Sequence, residues 1–402
     1  MSANNNQAVA ASLSQAKAAH DHLATPLLAS VSNAAFREET DRMTALLHAV
    51  ADAEAGTEGS VVPISWSMVQ DIVRAGMAGK FFSIGDQLTC QRSNVNLVWD
   101  VIGIDHDTPA DPQFTHSLTL QLHDCFPTAM QFDAPEAFYY AENGLEAGTY
   151  HFTMGSTDYQ FTLESAIAAG SQLILGFTSD VPSAITVAST RGGTVSEGSI
   201  AVTVGSGGTP LDTDYLNDIN RVIYGSNNYK ESAIRQWLNS DAAAGSVWSP
   251  QNNFDRPSSW SGNTAGFMNG MDADFLAVLG KTHIVVARNT ATDGGGSDEM
   301  DDYFFLLSRS EVYGGVEVSG VNEGAAYPYY SDYSNLATAG TGNDSNRIKY
   351  LKGTEPPATQ AWWTRTPNSG SGCTARHVFA AGYVLNHYAS NSSGVAPACN
   401  VI

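Results

Sequence analysis

The chain is predicted to fold as an α+β protein, on three observations. Short apolar stripes at helical spacing recur along it, and stretches of strand formers lie between them. A block dense in β-formers, punctuated by Gly and Ser, interrupts this mixed texture between residues 147 and 212. With 402 residues, 43% of them hydrophobic, the chain can bury a substantial core and supports two or three domains.

Residues 1–58 are predicted to form a helical segment. Beyond the break at Pro26, Phe36, Met43, Leu46, Leu47 and Val50 fall on one helical face. Its expected role is attachment or oligomerisation; a helical arm with no dedicated role fits equally well. Ala55–Gly59 has linker composition. Ser65 is placed to cap a helix carrying Trp66, Val69, Ile72 and Val73 on one face. Strands are expected at 97–102 and 117–122. The block 147–212 carries further ones at 149–154, 159–163, 172–175, 184–187 and 199–204, as in a small sandwich. Helix-bearing sequence resumes after it, so the block is expected to be an insertion. Asn228 and Glu231 have capping-box spacing before a stripe of Ile234, Trp237 and Leu238. A helix at 267–279, strands at 283–287 and 303–307, and a Tyr-rich structured loop at 321–342 complete the reading.

The formal net charge of −22 argues against nucleic acid and against an anionic membrane surface. There is no basic and apolar leader and no apolar run of membrane-spanning length, so synthesis in the cytosol without membrane insertion is expected. Cys90, Cys125, Cys373 and Cys399 are widely spaced, lack a metal-ligand pattern and are expected to be free thiols. Motifs for nucleophilic, phosphate-binding or zinc chemistry are missing. The acidic stretch Asp293–Asp302 offers oxygen ligands for Ca²⁺ but lacks EF-hand spacing, and its glycines favour a solvated loop. His377 and His387 have no carboxylate nearby in sequence to orient them. The expectation is therefore a protein that is not an enzyme and needs no cofactor or metal.

The C-terminal segment is the most distinctive. From Asn368 to Ile402 there is no Lys, Glu, Gln, Met or Trp. Replacing the adenines of an AAC codon at random yields NNC codons, which never encode those residues. Two strands, Arg376–Phe379 and Tyr383–Tyr388, are expected to join through Ala380–Gly382, with Val378 and Val384 facing inward. Tyr, Ser, Asn and Gly are also the residues that antibody paratopes favour.

Trp363-x-Arg365-Thr366-Pro367 precedes this segment, and Gly394-Val395-x-Pro397-Ala398-Cys399 closes it. Upstream lie Ser232–Ser240, Phe254–Pro257, Phe304–Ser308 and Glu311–Gly314. In this order the motifs resemble the phage-associated variable proteins of diversity-generating retroelements, over about residues 60–402. The resemblance implies a C-type-lectin-like domain built from 60–146 and 213–402, with a variable region at about 363–402. It further implies that Gly372, Cys373, Thr374, Arg376, His377, Phe379, Tyr383, Leu385, Asn386, His387, Tyr388, Ser390, Asn391 and Ser393 form one ligand-binding surface, while Ala389, Ser392 and Gly394 stay fixed. Trp362 and Trp363 are expected to supply apolar area, one of them to the core, Arg365 to bridge groups beneath the surface, and Pro367 and Pro397 to stiffen its ends. The function implied is receptor recognition at a phage tail tip or fibre, hence in the virion. The expected ligand is a bacterial surface protein or glycan, the expected assembly a homotrimer, and residues 1–58 are a candidate contact to other virion proteins. The alternatives are a host-encoded surface adhesin and, less favoured, an enzyme resembling the formylglycine-generating family. That enzyme would need fixed cysteines, and Cys373 falls where the residue type is free to vary.

Overall fold

A computed structural model describes residues 64–134, 138–141, 145–154, 157–166, 168, 171–176, 203–210, 212–214, 226–251, 257–290, 293–330, 345–354 and 357–402. The helix expected after Pro26, the linker at 55–59, the strand at 184–187 and Phe254–Arg256 lie outside these residues. Helices and mostly antiparallel sheets alternate, as the α+β expectation requires. The chain divides into two compact units, Met1–Ala75 and Gly76–Ile402.

In the first unit Ser65 caps the helix Trp66–Arg74, its side chain accepting from the Met68 amide at 3.3 Å. Val69, Ile72 and Val73 are buried, as their spacing predicts.

The second unit is organised by a six-stranded antiparallel sheet. Gln87–Arg92, Val95–Ile104, Leu118–Leu122, Ala398–Val401 and Leu279–Gly280 follow one another across it, and Phe304–Phe305 also pairs with Ala398–Val401. The last strand in sequence is thus interior in space. Aromatic rings pack around this sheet: Trp99 lies 5.4 Å from Phe275 and 5.9 Å from Phe304, and Trp237 lies 5.1 Å from Phe267.

Ser232 caps the helix Ala233–Leu238, accepting from the Arg235 amide at 3.3 Å. Asn228 was the expected cap; its Oδ1 instead accepts from the Glu231 amide and shapes the turn before the helix. The expected helix at 267–279 contracts to Ala273–Ala277, preceded by turns. Within 147–212 the described residues form strands. One small sheet orders Thr209–Pro210, Thr157–Leu163, Gly148–Met154 and Thr203–Val204; another joins Asp212–Asp214, Ser171–Gly176 and Phe138–Ala141.

The acidic stretch departs from the solvated-loop reading. Ser297–Asp302 is a strand paired with Thr282–Ala287. Asp302 is buried and receives the Arg235 guanidinium at 2.8 and 2.9 Å, and Asp298 lies 3.5 Å from Lys230. These carboxylates already have cationic partners.

Beneath the C-terminal segment, Arg365 is almost completely buried and uses its whole fork of donors. It donates twice to Glu311, each at 2.7 Å, and to the carbonyls of Leu306 at 2.9 Å, Val285 at 3.2 Å and Glu323. Glu323 in turn accepts from Thr366 at 2.7 Å and the Ala287 amide at 3.0 Å. Glu311 also closes a capping box with Ser308 at the start of the helix Arg309–Tyr313. Burial pushes both carboxyls up, against the pull of Arg365. Burial alone would lower the Arg365 guanidinium, but Glu311 and Glu323 outweigh it and raise its pKa.

Removing one partner of such a pair strands the other's charge in the interior. Arg365→Leu is expected to cost about 3–5 kcal/mol. Arg365→Lys is expected to recover only part of it, because an ammonium cannot reproduce the planar fork. Urea unfolding of the three proteins at pH 7 measures both effects.

Candidate functional site

Three antiparallel strands carry the C-terminal segment: Trp362–Pro367, Thr374–Val378 and Val384–Tyr388. The first is buried throughout. Both tryptophans, not one, enter the core, and each indole N–H finds a carbonyl: Trp362 that of Arg347 at 3.0 Å, Trp363 that of Met130 at 2.8 Å. The other two strands form the expected hairpin. The Phe379 amide donates to Tyr383 at 2.7 Å, and Gly382 turns the chain at φ +86°, a region that suits glycine. Tyr313 Oη donates to the Gly382 carbonyl at 2.6 Å and fixes the turn to the body of the unit.

The exit is locked as tightly. The Trp363 amide donates to Gly394 at 3.0 Å, and the Gly394 amide to Ala361 at 2.7 Å. A Cβ at Gly394 would lie 2.7 Å from the Ala361 carbonyl oxygen, the Cys125 sulfur and the Gln360 side chain, so only glycine fits there without displacement. Ala389 is fully buried, and its carbonyl accepts from the amides of Phe132 at 2.9 Å and Asp133 at 3.1 Å. The positions expected to stay fixed at 389 and 394 thus have no room to change.

The expected single exposed surface is realised only in part. Phe379, Leu385, Asn386, Tyr388 and Asn391 are exposed; Thr374, Arg376, Tyr383, His387 and Ser390 are partly exposed. Gly372, Cys373, His377 and Ser393 are buried and leave that surface. The turn containing Gly372 and Cys373 is clamped by Asn227, whose amide donates to Ser371 at 2.7 Å and Thr374 at 2.8 Å. Ser393 donates to the Ala361 carbonyl at 2.9 Å, while Ser392, expected to be fixed, is the exposed one of the two. Val378 is buried as an inward anchor, whereas its partner Val384 is partly exposed.

His377 is buried because its side of the hairpin faces Trp363. The His377 and His387 rings stack 4.8 Å apart at 9°, and lie 5.9 and 5.5 Å from the Trp363 ring. Burial, reinforced by His387, lowers His377 from 6.5 to about 4, and among the described residues its Nδ1 has no hydrogen-bond partner. Burial lowers His387 as well, opposed by the Ser392 backbone. Both rings act as neutral aromatic surface.

On the opposite side of the hairpin, Arg376 donates to Glu317 at 2.6 and 3.0 Å and to Asn386 Oδ1. Glu317 also accepts from the Ser369 amide at 3.1 Å and lies 3.7 Å from Arg309. Burial alone would raise its carboxyl, but Arg376 and these neighbours outweigh it and hold it low. Next to this pair opens a cleft of about 450 Å³ lined by Asn368, Gly370, Ser371, Thr374, Asn386, His387 and Tyr388. Its lining contains amides, hydroxyls and rings and no Asp, Glu, Lys or Arg. The wall formed by Asn368, Gly370 and Ser371, and the supports Glu317 and Asn227, were not expected from the sequence. Glu317 is 59 residues from its partner Arg376, and no local pattern links them.

None of the four cysteines is in a disulfide, and all four are buried. Cys399 lies in the central sheet, and burial raises its thiol well above the usual range. Among the described residues no group of three or more His, Cys, Asp or Glu side chains could hold a metal ion. No described helix is long and apolar enough to cross a membrane.

Residues 206–402 match a family model described as a domain of unknown function, DUF6273. The match begins within the β-rich block and covers the C-terminal segment with Asn227, Glu311, Glu317 and Glu323, while Met130, Phe132 and Asp133 lie outside it. No curated protein and no solved structure matches the chain.

Two outcomes follow from this packing. Trp363→Ala is expected to cost about 3–5 kcal/mol, and Tyr388→Ala no more than about 0.5 kcal/mol, in denaturant unfolding. The second concerns His377, whose folded pKa lies below its unfolded value. Its neutral form contributes full stability above about pH 6.5. That contribution is lost as pH falls towards 4, where the unfolded chain takes up a proton that the folded chain resists. Between pH 7.5 and 4.5 the wild type is expected to lose on the order of 2 kcal/mol more than His377→Phe.

Proposed function

We propose that this chain is a ligand-displaying protein of the retroelement-diversified kind, with a C-type-lectin-like scaffold presenting the surface of its C-terminal hairpin. One observation carries the reading: the residues that tolerate exposure alternate with positions that structure forbids to change. Asn386, Tyr388 and Asn391 stand in solvent, while Trp363, Arg365, Ala389 and Gly394 are buried and bonded directly beneath or beside them. Such an arrangement lets side chains be exchanged with little effect on the fold. The empty codon set from Asn368 to Ile402 supports the same reading, since adenine-directed rewriting would produce it.

The setting that fits best is a phage tail tip or fibre recognising a bacterial surface molecule, with the protein carried in the virion as a homotrimer. Contact to other virion proteins falls to residues 1–58, and the lectin-like domain spans 60–146 and 213–402 around the β-rich insertion. The reading assigns no catalytic step, cofactor or metal. Instead, aromatic rings supply contact area at low entropy cost and small polar groups adapt their hydrogen bonds.

Sequencing the DNA beside the gene tests the genetic half: a reverse transcriptase gene and a near-copy of the 3′ coding segment, differing at adenines, are expected. Attachment to bacterial cells tests the other half. Attachment is expected to persist in EDTA and to weaken by about 10²–10⁴-fold when the protein is made monomeric, as linked copies lose their avidity. Loss on chelation would instead point to a Ca²⁺-dependent lectin.

A further inference from the structure

Resting on the display reading, we infer that the cleft beside the hairpin takes an uncharged, hydroxyl-rich sugar residue, with Asn386 as its oriented hydrogen-bond donor. Three features of the cleft narrow the ligand class.

The first is charge. The lining has no ionised side chain. The nearest guanidinium, Arg376, is already held by Glu317 at 2.6 and 3.0 Å. His387 does not supply a cation at neutral pH, because burial lowers its pKa. An anionic ligand would be desolvated here without a compensating charge.

The second is the direction of the amide. Arg376 has only donors, so the oxygen of Asn386 must face it. The Asn386 Nδ2 is therefore left as the outward donor, and its orientation is fixed before any ligand arrives. Glu317 acts as a positioning residue for this donor through Arg376. Sugar hydroxyls both accept and donate, so one ring can take the Asn386 hydrogen bond and donate to Asn368 or Thr374.

The third is the mixed character of the wall. An apolar peptide anchor would cover the outward Asn386 amide, and the donors that Asn368 and Thr374 keep beyond their mutual hydrogen bond at 3.0 Å, without satisfying them. A pyranose places C–H groups against the ring of Tyr388, which shares the Asn386 face of the hairpin, while its hydroxyls meet the polar groups. The volume of about 450 Å³ lies within the range of small-molecule sites.

The test uses the full-length protein on an array of neutral and anionic bacterial oligosaccharides, with wild type, Asn386→Ala, Thr374→Trp and Glu317→Gln. Wild type is expected to bind at least one neutral glycan, in EDTA as in buffer. Asn386→Ala should weaken it by up to about tenfold, the most one neutral hydrogen bond supplies, and Thr374→Trp, which fills the cleft, by about tenfold or more. Glu317→Gln should weaken the same glycan in the wild-type background and have no further effect on binding in the Asn386→Ala background, with the unfolding midpoint of each protein measured to separate positioning from loss of stability. Binding to anionic glycans alone, to no neutral glycan, or equally by all variants overturns the inference. Attachment to bacterial cells separates this failure from that of the display reading. Attachment that survives periodate oxidation of the cells but is lost in Thr374→Trp and Tyr388→Ala rejects the sugar and keeps the display surface. Attachment indifferent to both variants rejects the display surface itself.

Discussion

The ion-paired guanidinium of Arg365 is the constraint on which the C-terminal half depends. Its donors reach Glu311 and the carbonyls at 285, 306 and 323, so four separate stretches of chain meet at one side chain. A buried charge is a poor source of net stability, because desolvation offsets much of its attraction. What it supplies is geometry: a misplaced stretch leaves a donor or a carboxylate unsatisfied, which penalises every alternative packing. The strand Trp362–Pro367 is thereby held in one register, and the hairpin built on it inherits that register.

The support is graded from inside to outside. Trp363 is fixed by its carbonyl bond to Met130, the two histidine rings lie against it, and the exposed side chains stand on the hairpin beyond them. Stacked imidazoles are an unusual choice for an inner layer, since each would lose favourable burial on protonation. At neutral pH they behave as small aromatic plates, and the orphaned Nδ1 of His377 records what that compromise leaves unsatisfied.

Local chemistry was legible in the sequence wherever one residue type has one physical solution. The Ser65 cap, the apolar stripe of Ile234, Trp237 and Leu238, the hairpin turn at Gly382 and the buried role of Arg365 all follow from spacing or side-chain geometry. Long-range partnerships were not legible. Nothing near Glu317 announces Arg376, and nothing in Asp298–Asp302 announces that Lys230 and Arg235 sit opposite. The same limit explains the misplaced exposure of Cys373, His377 and Ser393. Alternation assigns two faces to a strand, but whether a face meets solvent depends on neighbours far away in the chain: Asn227, Trp363 and Ala361.

The position of Ala398–Val401 inside the central sheet has a consequence for biosynthesis. Leu118–Leu122 and Phe304–Phe305 both wait for it as their partner, so the sheet cannot close until this strand has left the ribosome. Folding of this unit is therefore completed only after the hairpin segment that precedes this strand has been translated and released from the exit tunnel. A substitution in that hairpin is therefore present before the sheet can close, because the strand that completes the sheet is made after it. A frameshift or stop codon within the hairpin removes the closing strand, and the truncated chain is left with unpaired sheet edges for proteases to recognise.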